Sequence, residues 1–504
     1  MTAYLIGTDI GTSGTKSVLV DESGRILAES LVEHGVLMPH PLWAEQWPDI
    51  WVDAAKQTIR DVVAQAEVDA KQVKGLCVSG LYGGSGVPLD RGMKPVRPCI
   101  IWMDRRAERE CDEVGRRVPV ERLFEITGNA SDPYFGFAKI LWIKNNEPEN
   151  WKKISLFLPP NQYAVYRLTG EIAMDYTSAG NLGGIYDLKN ARWSYELMDA
   201  LGIPRGMMPE RLLEPQEVAG QLTASAAKEL GLQPGTPVCA GCIDCLASTL
   251  ATGALEDGQH TAIIGTSINW GVIHGKLPVN PAYITMPYAK DPKRMYYTYG
   301  GASTAGALPK WFRDNFTSLG PTSVTYDMLN EKAAGIAPGS NGLLILPYFM
   351  GERSPIWDVH AKGTILGLTL HHTQAHVYHA ILESVAYALK HIMETSEIGI
   401  DETSKCMLIG GATKSALWKQ IFADVTGVPI HCSSQSVEAP LGDALLAGVG
   451  TGVLKDFTAI REWVTFDQEV LPNPAAHKVY EEYFVQYKKL YLSLKENMAA
   501  LSAL

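Results

Sequence analysis

Asp9 ends an apolar run, Tyr4-Leu-Ile-Gly-Thr-Asp9, and is followed by small residues at Gly11, Thr12, Ser13, Gly14 and Thr15, then Lys16 and a second apolar run to Asp21. Glycines let such a turn bring backbone N–H groups close to an anion, and the hydroxyls add donors, so the segment reads as a phosphate-binding β-hairpin. A carboxylate beside an anion nest requires a cation or a water network between them, and magnesium is the cation that chemistry suggests. The same pattern also describes an ordinary hairpin with a glycine-rich turn. Asp244 follows the apolar Pro237-Val-Cys-Ala-Gly-Cys-Ile243 and precedes the small-residue stretch Cys245-Leu-Ala-Ser-Thr-Leu-Ala251. A free aspartate there, with a pKa of about 3.9, would be ionised at neutral pH and able to take a proton from a bound hydroxyl. It would serve equally as a helix cap.

Two more segments carry the signature of a phosphate or nucleotide contact. Gly265-Thr-Ser267 lies between apolar runs, repeating the opening scheme, and Leu408-Ile-Gly-Gly-Ala-Thr-Lys-Ser415 passes through Gly410 and Gly411 into a helical stretch. The second gives a backbone approach and a helix N-terminus for an adenosine or α-phosphate, although a structural turn reads the same way. The Gly-x-x-x-x-Gly-Lys-Ser/Thr loop and the protein-kinase catalytic loop are both absent. Cys239, Cys242 and Cys245 have the spacing of metal ligands, but no fourth cysteine follows nearby, so packing around Asp244 is the simpler reading. His372, His376, His379 and Glu383 fall on one helical face without a second ligand set, which favours a helix lining an interface or solvent.

The chain that positions these residues has 504 residues, 46% hydrophobic and 20% charged, enough for two to four domains with large cores. A net charge of −11 argues against a nucleic-acid or anionic-membrane surface, because either needs a basic field. No apolar run is long enough to span a bilayer, no signal peptide opens the sequence, and eight cysteines in so long a chain suit a reducing compartment, so a cytoplasmic protein is expected. Short β-rich runs alternate with amphipathic stretches, the mark of an α/β fold. Strands are predicted over 25–31, 76–79 and 99–104. Helices are predicted from about 48, over 105–111 and over 475–501, the last packing through Val479, Tyr483, Val485, Tyr487, Leu490 and Leu494. The hairpin scheme starts again at His260, which implies two lobes, 1–252 and 253–504, with the boundary between about 247 and 258 and a ligand between them.

Across nearly its whole length the sequence resembles the FGGY carbohydrate kinases, and most of all their xylulose kinase-like members. Gly363-Thr-Ile-Leu-Gly-Leu368 followed by His376-Val-Tyr-His-Ala-Ile-Leu-Glu383 matches the family's C-terminal signature. Tyr134-Phe-Gly-Phe-Ala-Lys-Ile-Leu-Trp-Ile-Lys-Asn-Asn146 resembles its N-terminal one, with Gly136 where Pro, Ser or Thr is usual. Trp43-Ala-Glu-Gln46, Ile101-Trp-Met-Asp104, Tyr166-Arg-Leu-Thr-Gly170, Gly300-Gly301 and Leu346-Pro-Tyr-Phe-Met-Gly-Glu-Arg353 follow the family order. The resemblance implies a two-lobed actin-like ATPase (ribonuclease H-like) fold with the active site in the interdomain cleft, the sugar on the N-terminal lobe and ATP on the C-terminal lobe. It implies transfer of the γ-phosphoryl group of magnesium-bound ATP to a hydroxyl of a small sugar or polyol, and homodimers as a family habit. Asp244 would be the base, and Asp9 with Asp244 would hold Mg2+. Thr12, Ser13, Lys16, Gly265, Thr266, Ser267, Gly410, Gly411 and Ser415 would hold the nucleotide. Tyr82, Gly83, Trp102, Asp104 and Asp244 would face the substrate. Xylulose kinases usually carry Gln-Met-His-Gly after the Ser-Gly strand end; here Ser79-Gly-Leu-Tyr-Gly-Gly84 stands in its place, which puts xylulose itself in question and leaves another polyol, ketose or gluconate-like acid open.

Overall fold

The computed structural model describes residues 2–81, 84–277, 280–317, 324–400, 404–433 and 438–503. The first sheet takes its strands from β1 (Tyr4–Ile10), β2 (Gly14–Asp21), β3 (Ile26–Glu33), β4 (Val73–Gly80), β5 (Val218–Gln221) and β6 (Pro237–Cys239), in the order β5-β6-β4-β1-β2-β3. The second takes β7 (Gln259–Ile264), β8 (Ile268–His274), β9 (Ile284–Pro287), β10 (Tyr296–Ala302), β11 (Lys405–Gly410) and β12 (Ile430–Cys432), in the order β9-β10-β8-β7-β11-β12. Five neighbours correspond: β6-β4-β1-β2-β3 in one sheet has the same connectivity as β12-β11-β7-β8-β10 in the other. In each, an antiparallel hairpin is joined by a parallel strand on its first member.

Both faces of the first sheet are covered, so its central strands are almost continuously apolar. Alternation divides them: Ile6, Ile10 and Leu19 turn toward helix α1 (Pro48–Ala66) with Trp51, Ile59 and Val62. Leu5, Val18 and Val20 turn the other way, into a core with α2 (Asp244–Ala251) and a helix from much later in the chain. Proline at the first position of α1 suits a turn whose N–H would be unpaired in any case. The second sheet packs against α3 (Ala307–Phe316), α4 (Gln374–Thr395) and α5 (Ala416–Thr426).

Helix α6 (Ala439–Gly450) belongs to the second half of the chain by sequence, yet it lies on β1 and β4 of the first sheet and crosses α2. A side chain on Gly442 would meet the carbonyl oxygen of Ala247 at 2.0 Å, so only glycine permits this crossing. Substitution by valine there forces the two helices apart. Residues 454–464 follow α6 into the same core through Leu454, Phe457, Ile460 and Trp463. A cut at 252/253 therefore separates the sheets but not the helices that cover them.

The predicted strand over 99–104 stops at Ile100, and the helix expected over 105–111 spans Glu108–Arg117. The chain turns at 102–107 because Asp104 folds back to accept hydrogen bonds from the Ala44 N–H and from Arg106. The last helix, α7 (Pro474–Ala503), buries Tyr480, Phe484, Tyr487, Tyr491 and Met498. Val479 and Val485 are exposed, since the large rings at spacings of four and three define the apolar face instead.

Candidate active site

The parallel pairing of β1 with β4 sets Asp9 beside Ser79. The Ser79 hydroxyl lies 3.1 Å from Asp9 Oδ1 and 2.6 Å from Oδ2 of Asp443, a fully buried carboxyl group on α6. Asp244 opens α2, and its Oδ1 accepts from the Cys245 N–H at 2.6 Å. Both Asp9 and Asp244 keep partial access to the cleft. Loss of solvation raises Asp9 to about 6 against the hydrogen bond from Ser79, with the charge of Glu438 adding to the rise. Desolvation and the charge of Asp9 push Asp244 to about 8. The ordinary aspartate value expected from sequence therefore does not apply: without a compensating charge Asp244 holds its proton at neutral pH. Burial also lifts Asp443 well above its usual range.

Among the described residues, neither Asp9 nor Asp244 forms an ion pair with a basic side chain. Lys16, opposite Asp9 across the hairpin, is engaged by Glu438 at 2.7 Å and Glu29 at 3.1 Å. Two neighbouring carboxyl groups with raised pKa values and no cation fit a divalent ion held through its waters. No group of three or more His, Cys, Asp or Glu side chains among the described residues forms a direct metal cage.

The first turn is closed by Gly11 N–H donating to Gly14 O at 2.9 Å, and the Gln46 amide holds the Thr12 carbonyl at 2.9 Å. Ser13 is exposed and Thr12 half-exposed. In the second turn Gly265 N–H donates to Ser267 O at 3.0 Å, while Ala305 N–H and Gly306 N–H donate to Thr266 O and Gly265 O. Gly265 and Thr266 are exposed at one end of a cavity of about 840 Å³. Gly411, Ala412, Lys414 and Ser415 line its other side, with Trp311 and Tyr326 among its walls. Gly410 stands at φ +96° at the end of β11, and Ser415 caps α5 by accepting from the Trp418 N–H at 3.1 Å. A nucleotide-sized, largely apolar space thus joins the second turn to the Gly-Gly turn.

On the substrate side the sequence expectations divide. Trp102 is 37% exposed, and its indole N–H donates to Thr12 Oγ1 at 3.0 Å, tying this loop to the first turn. Tyr82 and Gly83 lie outside the described residues. Asp104 departs from the expectation of a substrate contact: it is fully buried, and both its oxygens are taken by the Ala44 N–H and the Arg106 N–H groups. The Arg106 guanidinium stacks 3.7 Å from the Trp43 ring centre and also binds Glu45. Asp104 is a strut for that arginine, a task that residue type alone does not separate from sugar binding. The sequence reading missed Asp443, although Gly442-Asp-Ala-Leu in an otherwise apolar helix is the signal of a buried polar group with a partner. It also passed over Tyr134, whose hydroxyl meets that of Tyr299 near Asp244.

The two remaining clusters make their contacts within the protein. Cys239 and Cys242 are buried as free thiols. His379 and Glu383 bind the Ser340 hydroxyl, and His376 meets Asn341 at 3.0 Å, so the histidine face of α4 anchors the turn at 339–342.

Comparison with known proteins finds relatives along the whole chain. The N-terminal domain of the FGGY family of carbohydrate kinases matches residues 4–251 and its C-terminal domain matches residues 261–451. The chain is 29% identical to the xylulose kinase of Staphylococcus epidermidis, over 99% of this chain and 98% of that one. The crystal structure of xylulose kinase from Rhodospirillum rubrum superposes with a TM-score of 0.89 at 29% identity, covering 98% of this chain and all of the other. That of gluconate kinase from Lactobacillus acidophilus gives 0.89 at 25% identity over 99% of this chain and all of that one. The duplicated α/β scheme is the actin-like ATPase fold of these enzymes, and the chain belongs to the FGGY family of carbohydrate kinases, phosphotransferases that act on an alcohol group.

Proposed function

We propose that this protein transfers the γ-phosphoryl group of magnesium-bound ATP to a hydroxyl of a pentulose such as xylulose, with Asp244 as the general base. The observation that carries this reading is the pair of desolvated carboxyl groups, Asp9 and Asp244, near the two glycine-rich turns, with the nucleotide-sized cavity opening from the second. The nucleotide occupies that cavity between Gly265-Thr-Ser267 and Gly410-Gly411 with Ser415, and the acceptor lies on the first lobe near Trp102 and Asp244. Thr12 and Ser13 donate to the phosphates, and Lys16, held by Glu29 and Glu438, stands at the edge of the first turn. Magnesium, when bound, supplies the charge that neutralises the phosphates. Asp9 would hold the ion through its waters, and with that positive charge nearby Asp244 would have its pKa drawn down toward the value a base needs. The acceptor hydroxyl then gives its proton to Asp244 Oδ as its oxygen attacks phosphorus. Likeness to a gluconate kinase favours a sugar acid as the second candidate acceptor.

The test is ADP release by the purified protein against pentuloses, hexuloses, polyols and aldonates, with Asp244→Asn beside the wild type. Stimulation by one acceptor, lost by roughly a hundredfold or more in the variant, is expected for a base of this kind. An ATP turnover that no acceptor stimulates would make the protein a nucleotide switch, and no turnover at all a non-catalytic sugar sensor on the same fold.

A further inference from the structure

The cleft described so far gathers negative groups, yet the reaction proposed for it passes an anion between them. Repulsion from Asp9 and Asp244 has to be offset by a cation that faces the phosphoryl group from the protein side. Arg353 meets that requirement. It follows Gly351-Glu352 and is half-buried, and among the described residues no carboxylate stands within ion-pair distance of its guanidinium. Its Nη2 donates to the Ile268 and Ala302 carbonyls, each at 3.2 Å, where β8 and β10 pair. Ile268 is the residue directly after the second turn. The other guanidinium N–H groups make no hydrogen bond to the described residues and are not sealed from solvent.

The strand is built to admit this side chain. A Cβ on Gly301 would stand 2.7 Å from Arg353 Nη2, so glycine at that position of β10 makes room for the guanidinium. Glu352 fixes the approach from behind: its Oε1 accepts from the Ser303 and Arg353 N–H groups, each at 2.7 Å. Arg353 also faces Tyr134 and Tyr299, the pair beside Asp244. An arginine pinned by one nitrogen, open at the others, and set behind the second turn near the Tyr134–Tyr299 pair has the arrangement of a charge-stabilising group for phosphoryl transfer.

We propose that Arg353 is an oxyanion-binding residue of this cleft, donating its free N–H groups to the phosphoryl group in transit. The assignment rests on the kinase reading above. In the step it serves, the acceptor oxygen forms a bond to the γ-phosphorus while the bond from phosphorus to the β,γ-bridging oxygen breaks. The electron pair of that bond leaves with ADP, the hydroxyl proton passes to Asp244, and Arg353 keeps all its protons. The same guanidinium could take the carboxylate of a sugar-acid acceptor, and the experiment separates the two anions.

Full-length wild type, Arg353→Ala and Arg353→Lys are compared by calorimetry for ADP with magnesium, with and without orthovanadate as the phosphoryl mimic, and by steady-state kinetics. The expected result is unchanged affinity for ADP alone, loss of the tightening by vanadate in the alanine variant, and partial recovery in the lysine variant. In turnover, kcat falls by about 10²–10³ while KM for ATP stays within about threefold. A folded alanine variant that keeps the vanadate effect and kcat overturns the proposal, and so does one that loses ADP alone to the same degree, which marks a structural role. If gluconate binding weakens while the vanadate effect persists, the anion is the acceptor's carboxylate and not the phosphoryl group. Vanadate tightening in the wild type that Arg353→Ala loses, without any acceptor-stimulated turnover, upholds Arg353 and refutes the kinase reading. A wild type that shows no tightening refutes Arg353 whatever its turnover.

Discussion

The two hairpins at the heart of this molecule share a backbone plan and differ in what their registers put side by side. In the first, Asp9 has Lys16 opposite it on β2 and Ser79 beside it on β4. In the second, the matching position is Ile263, with Asn269 opposite on β8 and Ile409 beside it on β11. One site concentrates ionisable groups against the buried end of α6, and the other is apolar behind an exposed turn that opens onto the 840 Å³ cavity. The same strand-turn-strand unit has thus been turned to two tasks, a charged one suited to a cation and a neutral one suited to a nucleotide. Topology duplicates the unit, and a handful of side chains decides its chemistry.

Removing the charged half of this contrast has the largest expected effect. Asp9→Asn keeps the shape of the first turn but removes its carboxylate, and kcat with magnesium should fall by roughly 10³-fold, several kcal/mol of charge stabilisation. Imposing the charge on the neutral half is the reverse experiment. Ile263→Asp puts an acid behind the second turn, and KM for ATP should rise by about tenfold or more, read by nucleotide titration of a variant whose fold circular dichroism confirms. A smaller effect distinguishes the turns themselves: Ser267→Ala removes one hydroxyl donor, for a loss of about tenfold in kcat/KM, corresponding to roughly 1.5 kcal/mol for a charged hydrogen bond.

Stability offers a different probe of the charged half. The folded-state pKa of Asp244, about 8, lies above its ordinary value of 3.8, so the native state binds this proton more tightly than the unfolded chain. The stabilisation is complete below the ordinary value and is lost as pH rises through about 8. Relative to Asp244→Asn, the wild-type melting temperature should therefore drop progressively across that window, and magnesium with ADP should narrow the gap. A constant difference across the window would show that Asp244 is not desolvated by its surroundings. The smallest change is expected at Ser415→Ala, which removes the α5 cap at a cost of about 1 kcal/mol in chemical denaturation.

Particular residues show how far the sequence could be read. Both hairpins, the Gly410-Gly411 turn and the position of Asp244 were legible because each is local: a small-residue turn between apolar runs needs no distant partner to be recognised. Asp104 was misread because a carboxylate at a strand end looks alike whether it faces a ligand or an arginine two residues on, and only the fold back onto Ala44 distinguishes them. Asp443 was passed over because its partner, Ser79, lies more than three hundred residues away. The apolar stripe of α7 was read correctly at Tyr483, Tyr487, Leu490 and Leu494 but wrongly at Val479 and Val485, because a run of closely spaced aromatics supports more than one helical face until a core selects one.

Sequence alone therefore determined the family, the duplicated hairpin plan and the glycine-rich turns, all of which rest on short-range pattern. The tertiary structure decided that helix Ala439–Gly450 closes the first sheet, that the cleft carboxyl groups depart from their solution pKa values, and that Arg353 is held by the Ile268 and Ala302 carbonyls. Burial, like-charge proximity and the packing of one lobe's helix on the other lobe's sheet depend on distances between residues remote in the chain, and no local pattern encodes them.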